Sequence, residues 1–376
     1  MAGDGIDVRV VGAGPAGLMA AEVLATGGLR VKIIDHHRQP ARKFLLAGRG
    51  GLNITHSEPL EQLLNRYGDA RAFLEPAIRA FPPEALRLWC GGLGIETFVG
   101  SSGRIFPDGM KASPLLRAWL RRLEGLGVTR KTPQAWTGFD DVPTILAMGG
   151  ASWPELGSDA AWVRLFNDAG IDVAPMSASN SRQRVAWSRE FTGRFAGQPV
   201  KNVAVSVAGG APVRGELLIA EDGIEGGAVY AMARHLRAPG TSLQIDLKPD
   251  LSAQQVAERL SRPRGKDSRS TYLRKTLNLS PAAIALMRET GGENPKQVML
   301  SVQGPVDIRR AISTAGGVAR HEVDSHFRLL KQPGTWVAGE MLDWDAPTGG
   351  YLLQACMATA RWAALDCLHQ LDMKRK

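Results

Sequence analysis

The stretch DVRVVGAGPAGLMAAEVLATGGLRVKIID, residues 7–35, decides the fold. Residues 7–11 read as a short buried strand. Gly12-Ala13-Gly14-Pro15-Ala16-Gly17 then opens a helix predicted to run to about Gly27, and residues 30–34 form a second strand that ends at Asp35. The glycines match G-x-G-x-x-G in the setting that gives the pattern meaning, with a strand before it and a helix after it. Gly12 permits the tight turn, Gly14 lets the backbone approach a pyrophosphate, and Gly17 lets the helix pack closely on the sheet. Pro15 and Ala16 occupy the first helical turn, whose free N–H groups and positive dipole end face phosphate oxygens. Asp35 follows Gly17 by 18 residues and stands where an acid accepts hydrogen bonds from ribose hydroxyls. An acid there disfavours a 2′-phosphate, so the site reads as one for FAD or NAD rather than NADP.

The far end of the chain separates FAD from NAD. Thr335-Trp336-Val337-Ala338-Gly339-Glu340 is an apolar strand ending in Gly-acid, a pattern that brings a carboxylate to a flavin's ribityl chain. Thr348-Gly349-Gly350-Tyr351 then begins a long helix whose N-terminal amides can face the flavin where negative charge accumulates on reduction. Residues 144–148 read as another buried strand, ending at Gly149-Gly150, and Gly149 joins the candidate cofactor contacts.

At 376 residues one core rarely suffices, so two or three modules are expected. No apolar run reaches the roughly 20 residues that span a bilayer, and no secretory signal is read at the N-terminus. Cys90, Cys356 and Cys367 form neither a disulfide framework nor a metal-ligand spacing, which points to the cytoplasm and to no metal. Asp343 and Asp345 read as loop-positioning acids for the same reason. The formal charge of +9 is concentrated. Residues 175–214 and residues 261–276 each hold six cations and one acid, a net of +5 apiece, which leaves the remainder of the chain at −1. Such segments suit an anionic partner, RNA above all, with Arg182, Arg184, Arg189, Arg262, Arg264 and Arg269 as candidate contacts. A solvated Arg-rich surface is the alternative. Between the termini, residues 62–90 are expected to be helical with breaks at Pro76 and Pro82-Pro83, residues 203–207 and 215–220 to be strands, and residues 253–290 to be helices broken at Pro263 and Pro281.

At GAGPAGLMAA, ARKFLLAGRGGLNIT, LAMGGASWPELGSD, GELLIAEDGIEGGAVY, STAGGV and GEMLDWDAPTGGYLLQACMATA the chain resembles the BaiN/RdsA-like (YhiN-like) family of bacterial flavoproteins, the NAD(FAD)-utilising dehydrogenases, nearly from end to end. The resemblance implies an α/β fold: an FAD-binding Rossmann domain of the two-dinucleotide type, interrupted by a β-barrel-like domain that carries a small helical insertion. On this chain that maps to residues 1–174 with 314–376, residues 175–250 with 297–313, and residues 251–296. It further implies FAD contacts at Gly12, Gly14, Gly17, Asp35, Lys43, Gly48, Asn53, Gly339, Glu340, Gly349 and Gly350. Members similar to an enoyl-type bile-acid reductase and to an enzyme that makes dihydrouridine in ribosomal RNA leave the substrate open. Two departures stand out. Where many members read G-R-C-N, this chain has Gly50-Gly51-Leu52-Asn53, and where many read T-H-F-G-x-S-G-P it has residues 220–227, AEDGIEGG. Residues 128–143 are also too short for the strand hairpin expected there.

Flavin chemistry on an activated C=C bond needs a proton donor from the protein. His56, Glu221 with Glu225, and Tyr351 are the candidates, against the alternatives of a capping histidine, a solvated turn and an aromatic packed on the flavin edge. No second dinucleotide fingerprint is present, so NAD(P)H is expected to bind transiently as reductant. The reading is a reductase carrying non-covalent FAD and acting on RNA; the alternatives are a reductase of a small unsaturated molecule and a flavin-bearing RNA-binding protein without turnover.

Overall fold

A computed structural model describes residues 5–207 and 210–375. The chain forms two compact units, Met1–Ser177 with Ser313–Lys376, and Ala178–Ile312.

The first unit is built on a five-stranded sheet in the order Thr335–Val337, Thr144–Leu146, Val8–Val11, Val31–Ile34, Thr129–Lys131. Every neighbouring pair is parallel, with Val8 opposite Val31, Arg9 opposite Thr144, Thr335 opposite Thr144 and Lys32 opposite Thr129. One face of the two central strands is apolar and wholly buried, with Val8, Val10 and Ile33 on it, while the other carries Arg9 and Lys32 ahead of the buried Val11 and Ile34. The helix Pro15–Thr26 follows the first strand and packs along the C-terminal helix Tyr351–Arg375. Successive strands run to one side of Val8–Val11 and then to the other, so the glycine turn after Val11 stands where the strand order reverses. In such sheets, ligands bind outside the carboxyl ends at that point.

The second unit is a six-stranded antiparallel sheet in the order Val298–Val302, Thr241–Asp246, Pro199–Val207, Val213–Ala220, Gly223–Glu225, Gln183–Arg184. Its two ends meet. The Arg184 N–H donates to the Gly304 carbonyl at 2.8 Å, and the Gln303 N–H donates to the Arg184 carbonyl at 2.8 Å, so the sheet curls into a barrel-like form and leaves few open edges. Three helices, Ala253–Leu260, Arg269–Leu277 and Pro281–Glu289, are each capped by a serine that accepts an N–H from the first turn: Ser252, Ser268 and Ser280. Leu273, Leu277, Leu286 and Met287 bury into the same core as Val203, Leu243 and Ile245 of the sheet.

One local expectation needs correction. Pro76 does not break the helix Arg71–Ala80. Pro76 and Ala72 both face solvent, so the carbonyl that loses its intrahelical partner is hydrated. The breaks expected at Pro263 and Pro281 are present: helices end at Leu260 and Leu277, and Pro281 occupies the first turn of the next helix, where its missing N–H is harmless. Residues 128–143 supply the edge strand Thr129–Lys131 and no hairpin.

A Cβ built at Gly17 would lie 1.8 Å from the Gly12 carbonyl oxygen, whereas one built at Gly91, inside the helix Pro83–Gly92, meets nothing within 4 Å. Gly17→Ala is therefore expected to cost at least the 1–3 kcal/mol typical of overpacking, roughly, and to lower the melting temperature by several degrees. Gly91→Ala should leave it unchanged or raise it. A Gly17→Ala protein that melts with the wild type contradicts the tight helix-to-turn contact.

Candidate cofactor-binding site

At the carboxyl ends of four parallel strands a cavity opens, edged by the residue that closes or follows each of them: Val11, Asp35, Ala147 and Ala338. Of the candidate cofactor contacts, Gly12, Gly14, Pro15, Ala16, Asp35, Lys43, Gly149 and Glu340 line it. Gly17, Gly48, Asn53, Gly339, Gly349, Gly350 and Tyr351 do not, and most of these serve close packing instead. A Cβ at Gly48 would meet Ala112, one at Gly339 would meet Ala16 at 2.8 Å, and one at Gly350 would meet the Thr55 backbone at 2.5 Å. Asn53 brackets a turn by donating from Nδ2 to the Thr55 and Ile105 carbonyls.

The floor is suited to an anion. Gly14 has open space on its Cβ side, unlike Gly12 and Gly17, and the helix behind it begins with Pro15, with no side-chain cap and no acid in its first turn. Asp35 accepts the Ala13 N–H on one carboxylate oxygen and the His37 N–H on the other, each at 2.7 Å. It thus ties the end of the second strand to the glycine turn and keeps further lone pairs for a ligand. Lys43 donates to Glu340 Oε2 at 2.8 Å and to Ser152 Oγ at 2.7 Å, while Glu340 also accepts the Thr314 N–H at 2.8 Å. The acid of the C-terminal Gly-acid pair is therefore held on the cavity wall by a cation from the N-terminal segment.

Several wall residues escaped the sequence reading. Ser158 and Gln134 both line the cavity and hold a buried oxygen, Oγ and Oε1, without a hydrogen-bond partner. Unpaired buried acceptors of this kind call for a polar ligand. Together with the open side of Gly14 they fit a dinucleotide carrying hydroxyl and amine donors. His37 is held below the ordinary histidine range by burial, then by His36 and by Arg42, which lies 3.1 Å from its ring. Cys356 also faces the cavity, and burial, with Glu340 nearby, pushes its thiol up to about 12. Ser158 sits within the quoted LAMGGASWPELGSD segment. Gln134 had no signal beyond lying in the shortened segment.

His56 and Tyr351 come together, with rings stacked 5.5 Å apart. Their protons are committed. Tyr351 donates to Glu58 Oε1 at 2.6 Å, and His56 Nδ1 accepts the Glu58 N–H, which leaves Nε2 to donate to the Ser102 carbonyl. Burial and the Glu58 contact raise the Tyr351 phenol well above the ordinary tyrosine range. Burial alone would lift Glu58, but the paired bonds from Arg66 and the one from Tyr351 prevail and hold it below the usual carboxylate range. Glu58 and Arg66, not singled out in the sequence, are the centre of this cluster. Glu221 belongs to the second unit, exposed in the turn between two strands, while Glu225 accepts from Arg182 at 3.3 Å. Arg182 also pairs with Asp222 at 2.8 Å, so the acids that mark the departure at residues 220–227 bind the cation expected to contact phosphate. At the other departure, Leu52 is buried in the core. Among the described residues one trio, Asp172, His321 and Glu322, gathers metal-ligating atoms, yet Glu322 Oε1 is occupied by Lys331 at 2.6 Å.

Residues 6–366 match the family described as HI0933-like protein Rossmann domain. The chain belongs to that family. It is 25% identical to the ribosomal RNA dihydrouridine synthases of Escherichia coli (strain K12) and Haemophilus influenzae, over 96% of this chain and 98% of each relative. Among solved structures it is similar to 3-ketosteroid delta1-dehydrogenase from Sterolibacterium denitrificans, with a TM-score of 0.53, 13% identity, and coverage of 97% of this chain and 99% of that one. Its fold and family are those of FAD-dependent oxidoreductases. Among the described residues no helix is long and apolar enough to cross a membrane.

The cluster and the thiol generate two tests. Glu58 contributes stability that is complete above the ordinary carboxylate pKa and is lost as pH falls through its depressed folded value. Tyr351→Phe, which removes one of the bonds that depress it, should therefore melt lower than wild type at neutral pH, with the gap closing in acid; a gap independent of pH contradicts the pairing. At about pH 8 the native protein should show no fast-reacting thiol, while the unfolded chain titrates three. Rapid native labelling at Cys356 would mean that its thiol is not protonated.

Proposed function

We propose that the cavity holds FAD non-covalently and that the enzyme reduces a uracil C=C bond in ribosomal RNA. The pyrophosphate is assigned to Gly12, Gly14 and the first turn at Pro15, Ala16 and Gly17, and the adenosine ribose to Asp35. Lys43, Gly149, Gly339 and Glu340 are assigned to the ribityl region, with Gly48, Asn53, Gly349, Gly350 and Tyr351 as the frame of the flavin end. The observation that carries the FAD assignment is the convergence of Gly14's open face, Asp35 and the Lys43–Glu340 pair on one cavity at the reversal of strand order. The RNA assignment is supported by likeness over nearly the whole chain to two enzymes named for dihydrouridine synthesis in ribosomal RNA, and by the two basic segments of the second unit.

When bound, FAD supplies the hydride for the carbon that is reduced. The protein's own part is orientation and electrostatics. Asp35 fixes the glycine turn through the Ala13 amide, so the helix end is presented in one geometry. Lys43 and Glu340 neutralise each other on the wall and keep it polar without net charge. Tyr351, Glu58 and Arg66 brace the start of the last helix, and with the Tyr351 phenol raised and bonded to Glu58 they act as a positioning cluster. NAD(P)H is assigned as a transient reductant. Reduction of a small unsaturated molecule is the second reading, favoured by Arg182 being paired with Asp222 and Glu225.

The purified protein should be yellow and release FAD on heating; flavin that stays attached after denaturation, or an apo-protein that does not bind FAD, contradicts the assignment. Charge-assisted hydrogen bonds contribute about 1.5–3 kcal/mol, so Asp35→Ala should weaken FAD by roughly tenfold or more in titration of the apo-protein. For the substrate, ribosomal RNA nucleosides from a deletion strain, its parent and the complemented strain are compared by mass spectrometry. Dihydrouridine lost on deletion and restored by the gene is the expected result, and identical profiles transfer the assignment to a small molecule.

A further inference from the structure

The two basic segments, far apart in the chain, meet in the second unit. One cleft lies among the helices Arg189–Phe195, Arg269–Leu277 and Pro281–Glu289 and is lined by Arg194, Arg274 and Arg288 over an apolar floor that includes Phe191 and Phe195. A second cleft, lined by Lys201, Lys248 and the start of the last of these helices, shares Arg274 and Pro281 with the first. The two clefts therefore adjoin, and together they are termed the furrow. None of the arginines singled out from the sequence lines it: Arg182 is paired as described, Arg269 pairs with Glu293, and Arg184, Arg189, Arg262 and Arg264 lie exposed elsewhere.

Five cations line this furrow against two acids, Glu190 and Glu289. Glu190 pairs with Arg194 at 3.8 Å, and Glu289 accepts the Ser188 N–H at 2.6 Å and its hydroxyl at 2.9 Å. Among the described residues Arg274, Arg288 and Lys201 have no carboxylate within 4.0 Å. Five cations against two acids leave the furrow with a positive potential, which an anion would offset. Three features say what kind of anion. The cations are divided between the two clefts, Arg194 and Arg288 in one, Lys201 and Lys248 in the other and Arg274 in both, as a repeating charge requires. The nine-residue helix Pro281–Glu289 presents its N-terminal end to the furrow, adding positive dipole. Arg194 lies over the Phe195 ring, 5.5 Å from its centroid, an arginine–aromatic platform on which a base can stack.

We propose that this furrow binds the phosphodiester backbone of a single-stranded RNA segment. The proposal rests on the reading that RNA is the substrate and names where the strand is gripped.

The test uses the flavin-loaded full chain and a fluorescent oligouridylate of about 12 nucleotides, followed by polarisation across a salt series. Arg194→Glu with Arg274→Glu is compared with Arg262→Glu with Arg264→Glu, which changes the net charge equally but lies outside the furrow. Each phosphate contact contributes about 0.7 to the salt slope for single strands, so the furrow variant should lose roughly 1.4 of slope and on the order of tenfold or more in affinity at low salt, and the control much less. Arg194→Ala with Arg274→Ala should show the same direction, and bound flavin, read by absorbance, establishes that each variant is folded. Equal losses in the two Glu variants, no loss in the furrow variants, a wild type that does not bind the oligonucleotide, or displacement by polyglutamate as effective as by RNA would each overturn the site. The nucleoside comparison separates this from the substrate assignment. Dihydrouridine restored equally by wild type and furrow variant removes the furrow and keeps the RNA substrate, whereas salt-dependent binding lost only in the furrow variant, with no dihydrouridine made by wild type, keeps the furrow and removes the reduction.

Discussion

The first unit depends on two close backbone approaches around one turn. Gly12 has a φ of +101°, and a side chain there would collide with the Ala147 carbonyl; a side chain at Gly17 would collide with Gly12 itself. At these two positions the missing Cβ lets the first strand, its helix and the neighbouring strand Thr144–Leu146 close on one another. Only Gly14, with nothing beside it, leaves the turn accessible from the cavity. The same sequence pattern thus provides two closures and one opening, and the opening is where an anion can meet the helix end.

What completes the cavity comes from far along the chain. Lys43 and Glu340 are 297 residues apart and meet at 2.8 Å, each drawing in a further partner, Ser152 and the Thr314 amide. Their mutual neutralisation matters because a lone charge in a half-buried wall is costly to desolvate. The brace beside the last helix follows the same logic: Tyr351, Glu58 and Arg66 satisfy one another, and the two chemistry-bearing side chains nearest the helix start, His56 and Tyr351, spend their protons on structure. This favours their role as scaffold over a role as proton donor.

In the second unit, charge density and charge availability diverge. Six arginines stood out because they were crowded in sequence. Folding paired Arg182 with Asp222 and Glu225 and Arg269 with Glu293, while bringing Arg274 and Arg288 to one furrow beside Arg194, whose partner Glu190 lies one turn back on its own helix. Acids two and five residues beyond the strand Val213–Ala220 pair Arg182, an acid just past the helix Pro281–Glu289 pairs Arg269, and the packing of three short helices forms the furrow; none of these is a property of local composition.

Much of the fold was legible in residues 7–35 and 335–351, because a nucleotide-binding turn constrains consecutive residues: strand period, glycine spacing and helix start all lie within reach of one another in the chain. The parallel sheet around the first strand and the long final helix follow from such local signals. Proline was misread at Pro76 because its effect depends on whether the freed carbonyl meets water, which is a matter of which face the helix turns outward. Gln134, Ser158 and Cys356 on the cavity wall, the Glu58 cluster and the furrow were decided only in three dimensions. Each joins side chains that are distant in sequence, and their burial, pairing and titration are set by neighbours that only the folded chain supplies.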